Sequence, residues 1–383
     1  MNRWAVAGLS VAMLAALGIT ACGDDDGGGG AADAAVQGEV CAVPEGTGVN
    51  FDLAEPLCNK LSSYRLFVGD LADQTPNVRV VAYDLNSPLF SDYAAKDRFI
   101  WLPDGTSMTY DDVEAFGMPL GTIIVKTFSY YTDARNESLG RRIIETRLLF
   151  NRADGWEGVS YVWNDEQTDA DLKVAGAELT VDWIHTDGAN RSVNYLVPNK
   201  NQCKECHEER DDTLLPIGPK ARHLNRDNDY GAGDINQLAH LIDIGYLTGA
   251  PKDPDTAPRN PVWNDDATGT VEERARAWLD INCSHCHNPR GAARTSGLDL
   301  SISQTNPSDF GVCKPPVAAG AGSGGRQYSI VPGMPDESII VFRLEATELD
   351  IRMPELGRSL VHTESVALIR EWITAMQGTC DPP

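Results

Sequence analysis

Basic residues are scarce in this chain: 32 Lys and Arg stand against 56 Asp and Glu among 383 residues, a formal net charge of −24. A nucleic-acid partner needs a basic face to neutralise phosphates, so that class is excluded. An acidic surface keeps the chain soluble and can steer it toward a basic partner surface. No Walker loop, no Gly-x-Gly-x-x-Gly opening a helix and no serine-nucleophile turn is present. The carboxylate-rich turn Arg226 to Asp234 has Gly231 where a calcium loop needs a ligand, and reads as a solvated turn. Methionine is missing between Cys203 and Asn264.

Long apolar runs are also lacking, apart from Trp4 to Ile19. That run follows Arg3 and is too short for a spanning helix, so residues 1–21 read as an export signal. The run ends in Ile19-Thr20-Ala21-Cys22, which resembles a bacterial lipoprotein box. Cys22 is therefore expected to carry lipid and to anchor the chain at a membrane, facing the periplasm or cell surface. The Gly-, Asp- and Ala-rich stretch that follows predicts a flexible tether over 22–45.

Nine cysteines are present. Cys22 and two pairs in motifs account for five of them. Cys41, Cys58, Cys313 and Cys380 remain, and an oxidising compartment predicts two disulfides among them. Three pairings are open. Cys41–Cys58, close in sequence, and Cys313–Cys380, both near the C-terminal end, are favoured.

The motifs are two copies of Cys-x-x-Cys-His: Cys203, Cys206 and His207, then Cys283, Cys286 and His287. The spacing places two thiols along one haem edge for thioether bonds, and the adjacent His reaches the iron. A redox dithiol or half a zinc site are the alternatives. The His directly following each pair favours two covalently bound haem c groups. His285, inside the second spacer, reads as a bystander.

The settings of the two copies differ. Residues 46–200 are rich in short β-branched and aromatic runs, among them "RFIWL", "TIIVKTFSYYT" and "RRIIETRLLFNR", separated by "LPDGT", "RADGW" and "TDGAN". They predict a mostly antiparallel sheet of about six or seven strands. A first haem segment, 201–263, follows. Its iron's second axial ligand stays open: His223 or His240 downstream, His185, Met108, Met118 or Lys126 from the sheet, or none. Within 264–383, Thr270 and Glu273 have capping-box spacing ahead of a helix that leads into Cys283. Val366, Ile369, Ile373 and Met376 form a second apolar stripe. Met353, held extended by Pro354, is the expected ligand opposite His287, with Met334 as rival.

From Val271 to Met376 the chain resembles a class I cytochrome c, which implies an all-α domain there. The expected fold class is therefore α+β multidomain, an antiparallel β domain followed by that all-α domain. More widely, "YDLNSPLFSDYAAKDRFIWLPDG", "PLGTIIVKTF", "IETRLLF", "CKECH" and "LPIGPKARHLNRD" resemble a family of bacterial diheme c-type cytochromes, from about Leu61 to Cys380. The resemblance implies two covalent haems and a redox function. "PLGTIIVK" ahead of a motif-closed β domain is also similar to hydroxylamine-oxidising cytochromes with a lysine-crosslinked haem and to β-sheet relatives of cytochrome c-prime. That likeness implies a first haem lying on the sheet. The functional expectation is an electron carrier to a redox protein partner. An enzyme whose open first haem acts on peroxide, hydroxylamine or nitric oxide is the alternative. A third reading makes the aromatic-rich β domain a binding module.

Overall fold

The computed structural model describes residues 40–42, 45–207, 213–231, 233–317 and 319–381. The export signal, Cys22 and most of the tether lie outside the described residues. No helix among those described is long and apolar enough to cross a membrane.

Strands form where β-branched and aromatic residues alternate between two faces. In chain order they are β1 (Val80–Tyr83), β2 (Ala95–Trp101), β3 (Met108–Thr109), β4 (Ile123–Tyr131), β5 (Arg141–Arg152), β6 (Gly155–Trp163), β7 (Ala170–Leu172), β8 (Ala177–Ile184), β9 (Asn190–Val197), β10 (Asp227–Asp229), β11 (Asp234–Asn236) and β12 (Leu247–Thr248). The helices are α1 (Gln202–His207), α2 (Ala221–Leu224), α3 (Gln237–Asp243), α4 (Val271–Asn282), α5 (Ile339–Glu345) and α6 (Thr363–Ala375).

The main sheet has six strands in the order β1-β2-β4-β5-β6-β7, each pair antiparallel. Strands β8 and β9 form a separate hairpin, and β12 pairs in parallel with β3, placing Leu247 opposite Met108. One face of the sheet is apolar: Phe99, Val125, Leu148 and Val159 pack into a core with Tyr64 and Phe150. A disulfide joins Cys41 to Cys58 at its rim, and Tyr161 donates to the Cys58 carbonyl at 2.8 Å. The opposite face is partly covered by α2 and α3, whose Ala221, Leu224, Leu238 and Leu241 pack on Ile100 and Ile124.

The C-terminal stretch corrects the expectation of an all-α cytochrome c domain. The chain is mostly antiparallel β-sheet, and only three of its six described α-helices fall within 264–383. Between α4 and α5 the chain runs through short 3-10 turns and isolated bridges, Val312 to Ile330 and Tyr328 to Ser338. Gly, Pro, Ser and Asn crowd that stretch, and such residues favour turns over helix. The two helices read from periodicity do form and pack against each other, with Trp278, Leu279, Ile369, Trp372 and Ile373 in a shared core. Thr270 and Glu273 close the expected capping box at the start of α4. A second disulfide joins Cys313 to Cys380. The stretch is also not detached from the sheet: the Asp92 carboxylate, before β2, accepts from the backbone N–H of Ser359 and of Leu360, each at 2.7 Å.

Candidate functional site: a two-motif cavity on the sheet

The first motif occupies α1, a single turn that follows β9 and lies against the sheet. Strand β6, next to the sheet edge, makes room for it at Gly158. A Cβ on Gly158 would stand 3.4 Å from Sγ of Cys203 and 3.1 Å from a methyl of Leu149. Cys203, Cys206 and His207 line a cavity of about 180 Å³. Ile124 and Leu149 from the sheet, Ile281 from α4 and Leu356 from the loop before α6 are further parts of its wall.

Hydrogen bonding fixes the tautomer of both motif imidazoles. His207 Nδ1 lies 2.8 Å from the Leu215 carbonyl, which can only accept, so Nδ1 carries the proton and Nε2 keeps its lone pair. His287 Nδ1 lies 3.1 Å from Ser296 Oγ. That hydroxyl already donates to the Ala293 carbonyl at 2.7 Å, so it accepts from Nδ1–H, and Nε2 of His287 is left as a base. Burial lowers the pKa of His207 and pushes that of His287 down to about 4, so both rings are neutral near pH 7. Anchoring Nδ1 in this way is how proteins orient a metal-ligating His.

The fold brings the two motifs into contact. The neighbouring Cys286 thiol, and then His285, hold Cys206 below the ordinary thiol range. Cys286 Sγ lies 3.5 Å from the Glu205 carbonyl. Burial raises Cys203 and takes Cys283 up to about 12, so these two remain protonated thiols.

Other sequence-derived candidates are sorted by this geometry. Lys126 and His223 line the cavity. His240 instead stacks on Tyr230 at 3.6 Å between ring centres, away from the cavity wall. Met108 is fully buried in the core beneath α2 and α3, and Met118 packs against the same core. His185 is not among the residues lining the cavity; it packs on Tyr93 and lies 3.7 Å from Glu364. Met353 is half-buried in the α5–α6 loop, its N–H bonded to the Arg343 carbonyl at 2.9 Å. Leu356 and Gly357 of the same loop line the cavity of the first motif, and the charges of Arg343, Glu355 and Arg358 act on His287, Cys286 and Cys283. Met334 is exposed at 53%.

Sequence reasoning missed a row of cations. Arg98 on β2 pairs with Lys126 on β4, and Lys126 with Arg147 on β5, so three basic side chains lie side by side on the cavity face. All three line the cavity. Charged residues at inward positions of otherwise apolar strands were the available signal. Among the described residues no three His, Cys, Asp or Glu side chains converge on one ion.

No family model, no curated protein and no solved structure matches this chain.

Proposed function

We propose that this chain is an exported, lipid-anchored cytochrome with two covalently attached haem c groups, passing electrons between them and to a redox protein partner. The observation that carries the reading is the meeting of two Cys-x-x-Cys-His motifs, each with its imidazole Nδ1 donating to the protein and Nε2 available. The residues present fit the group. At the first motif, paired thiols and an oriented imidazole edge a largely apolar cavity, and Gly158 leaves clearance for Cys203. Bound haem supplies a one-electron ferric/ferrous couple.

The chain's residues define what surrounds that couple. Cys203 and Cys206 would hold one haem and Cys283 and Cys286 the other, and the approach of Cys286 to Glu205 would bring the two groups close. His207 and His287 would be their iron ligands, and Met353 would be the candidate second ligand for the group at His287. The acidic surface, net −24, suits a partner with a basic docking face.

The cavity beside His207 favours a second reading, in which the first site binds a small molecule of the peroxide, hydroxylamine or nitric oxide type. Two measurements test these readings. A haem assay on purified, denatured protein is expected to give two covalent haems per chain; none, or one, overturns the diheme reading. Carbon monoxide titration of the reduced protein then separates carrier from enzyme: spectral change at one haem supports the second reading, and no change at either supports the carrier.

A further inference from the structure

The row Arg98–Lys126–Arg147 is a liability that the protein by itself leaves unresolved. Like charges directly opposite on neighbouring strands repel, and here three occupy consecutive strands. Arg147 is bonded by two nitrogens to Glu145, whose carboxylate is fully buried. Arg98 is bonded by one nitrogen to Asp84, 3.0 Å away, but Asp84 also holds Arg226 at 2.8 Å. The second terminal nitrogen of Arg98 is buried without a partner, and its side chain is only 4% exposed. Lys126 has no hydrogen bond or ion pair among the described residues; its ammonium has only the Phe128 ring, 4.9 Å away. Four basic side chains thus share two carboxylates, and burial, with Arg98, Lys96 and Arg147 nearby, pulls the Lys126 ammonium well below its ordinary range. A charged group without a partner is costly to bury, and an unfilled donor aimed at a cavity wall marks a missing acceptor.

We infer that this row binds two carboxylates, and that they are the two propionates of the porphyrin held at Cys203 and Cys206. The inference rests on the functional reading above and deepens it, because it orients the group. The thioether edge lies at Gly158, in the strand row Ile100–Ile124–Leu149–Gly158. The carboxylate edge lies across the adjoining row Arg98–Lys126–Arg147. Of the basic residues of the haem segment, Lys220 also lines the cavity, 3.8 Å from Glu114, and adds a fourth cation at its wall, while the two arginines are engaged elsewhere. Arg222 is committed to Asp280 at 2.7 Å and Arg226 to Asp84. The same chemistry, an oxyanion on three cations, could come from a free anion such as nitrite, and the experiment separates the sources.

The holoprotein and its Lys126→Gln and Arg98→Gln variants are compared, each checked for two haems per chain. Removing a cation beside the carboxylates is expected to lower the first haem's midpoint potential by about 59 mV, a tenfold change for one electron. The porphyrin carboxylate bands in the resonance Raman spectrum should shift with it. Unchanged potential and unchanged bands in both variants overturn the inference. So does a nitrite-induced spectral change in the native protein that either variant abolishes, since the row would then serve a free anion. Iron-free protoporphyrin and its dimethyl ester are also titrated into haem-free protein, where the His–iron bond plays no part. At least tenfold tighter binding of the diacid, lost in Lys126→Gln, supports the row; equal binding of acid and ester overturns it. A native chain found without covalent haem refutes the functional reading, while this last titration still decides the row.

Discussion

Asp280 Oδ2, on α4, lies 3.2 Å from Nε2 of His223, on α2, and both side chains are almost wholly buried. Arg222 joins them, with Nε at 2.7 Å from the same oxygen. Burial pushes the Asp280 carboxyl up, but hydrogen bonds from His223 and Arg222 outweigh it and hold the group well below the usual carboxylate range. Burial keeps His223 below its ordinary value, so Arg222 carries the charge of the pair while His223 donates as a neutral ring. This trio ties the segment after the first motif to the helix that leads into the second.

Asp280→Asn should therefore destabilise the whole assembly. It removes the counter-charge of a buried guanidinium, and breaking a buried pair from one side costs about 3–5 kcal/mol. Urea denaturation of the variant is expected to show a loss in that range. A loss under about 1 kcal/mol would mean that the trio is not what couples the segments.

Gly158→Val should be selective for the first motif. A new Cβ meets Leu149 at 3.1 Å and Cys203 at 3.4 Å, and overpacking of this kind costs roughly 1–3 kcal/mol. The expected result is a folded chain with one haem fewer, read by haem stain and intact mass. Full haem content in the variant would show that the clearance at Gly158 is not needed.

Separate removal of each thiol pair should divide the haem count. Cys203→Ala with Cys206→Ala, and Cys283→Ala with Cys286→Ala, are each expected to leave one haem per chain by mass. Met353→Ala should keep both and lower the potential of the second, because a thioether opposite His raises it. An unshifted second potential would reject Met353 as ligand.

The two disulfides should differ in worth. Cys313–Cys380 spans 67 positions and Cys41–Cys58 spans 17. Restricting the unfolded chain more strongly, the longer loop is expected to contribute about 4 kcal/mol and the shorter about 3. Paired Cys→Ser variants compared by denaturant unfolding measure the order; a reversed order would show that native contacts outweigh chain entropy here.

Acid should weaken the fold through His362. Its ring stacks on Phe90 at 4.2 Å, and burial pushes its pKa from 6.5 down to about 4, against the opposing pull of Glu364. The unfolded chain binds a proton near pH 6.5 that the folded chain refuses until about pH 4. Stability contributed by the neutral ring is thus present above pH 6.5 and falls as pH drops through that window, by roughly 3 kcal/mol in all. His362→Phe should flatten the fall in melting temperature between pH 7 and 4. An equally steep fall in the variant would place the acid sensitivity elsewhere.

The Cys-x-x-Cys-His motifs, the strand-rich region and the two apolar helices were legible in the sequence, because each depends on local spacing or periodicity; the disulfide pairs followed from the four cysteines left over and from which of them share one part of the chain. The Cys-x-x-Cys-His pattern is read within five residues, and the Thr270–Glu273 cap within four. The all-α domain was misread for the opposite reason. Two correct helices and a plausible ligand loop matched a familiar order, yet the stretch between α4 and α5 is turn chemistry that no helical period governs.

Contact between Cys206 and Cys286, the Arg98–Lys126–Arg147 row and the Arg222–Asp280–His223 trio were decided only by tertiary structure. Each joins residues from separate elements, and strand register or helix docking alone determines which side chains meet. By itself the sequence specified the spacing of the two Cys-x-x-Cys-His motifs. The folded chain decided that the two motifs meet, and that the row Arg98–Lys126–Arg147 lines the cavity of the first.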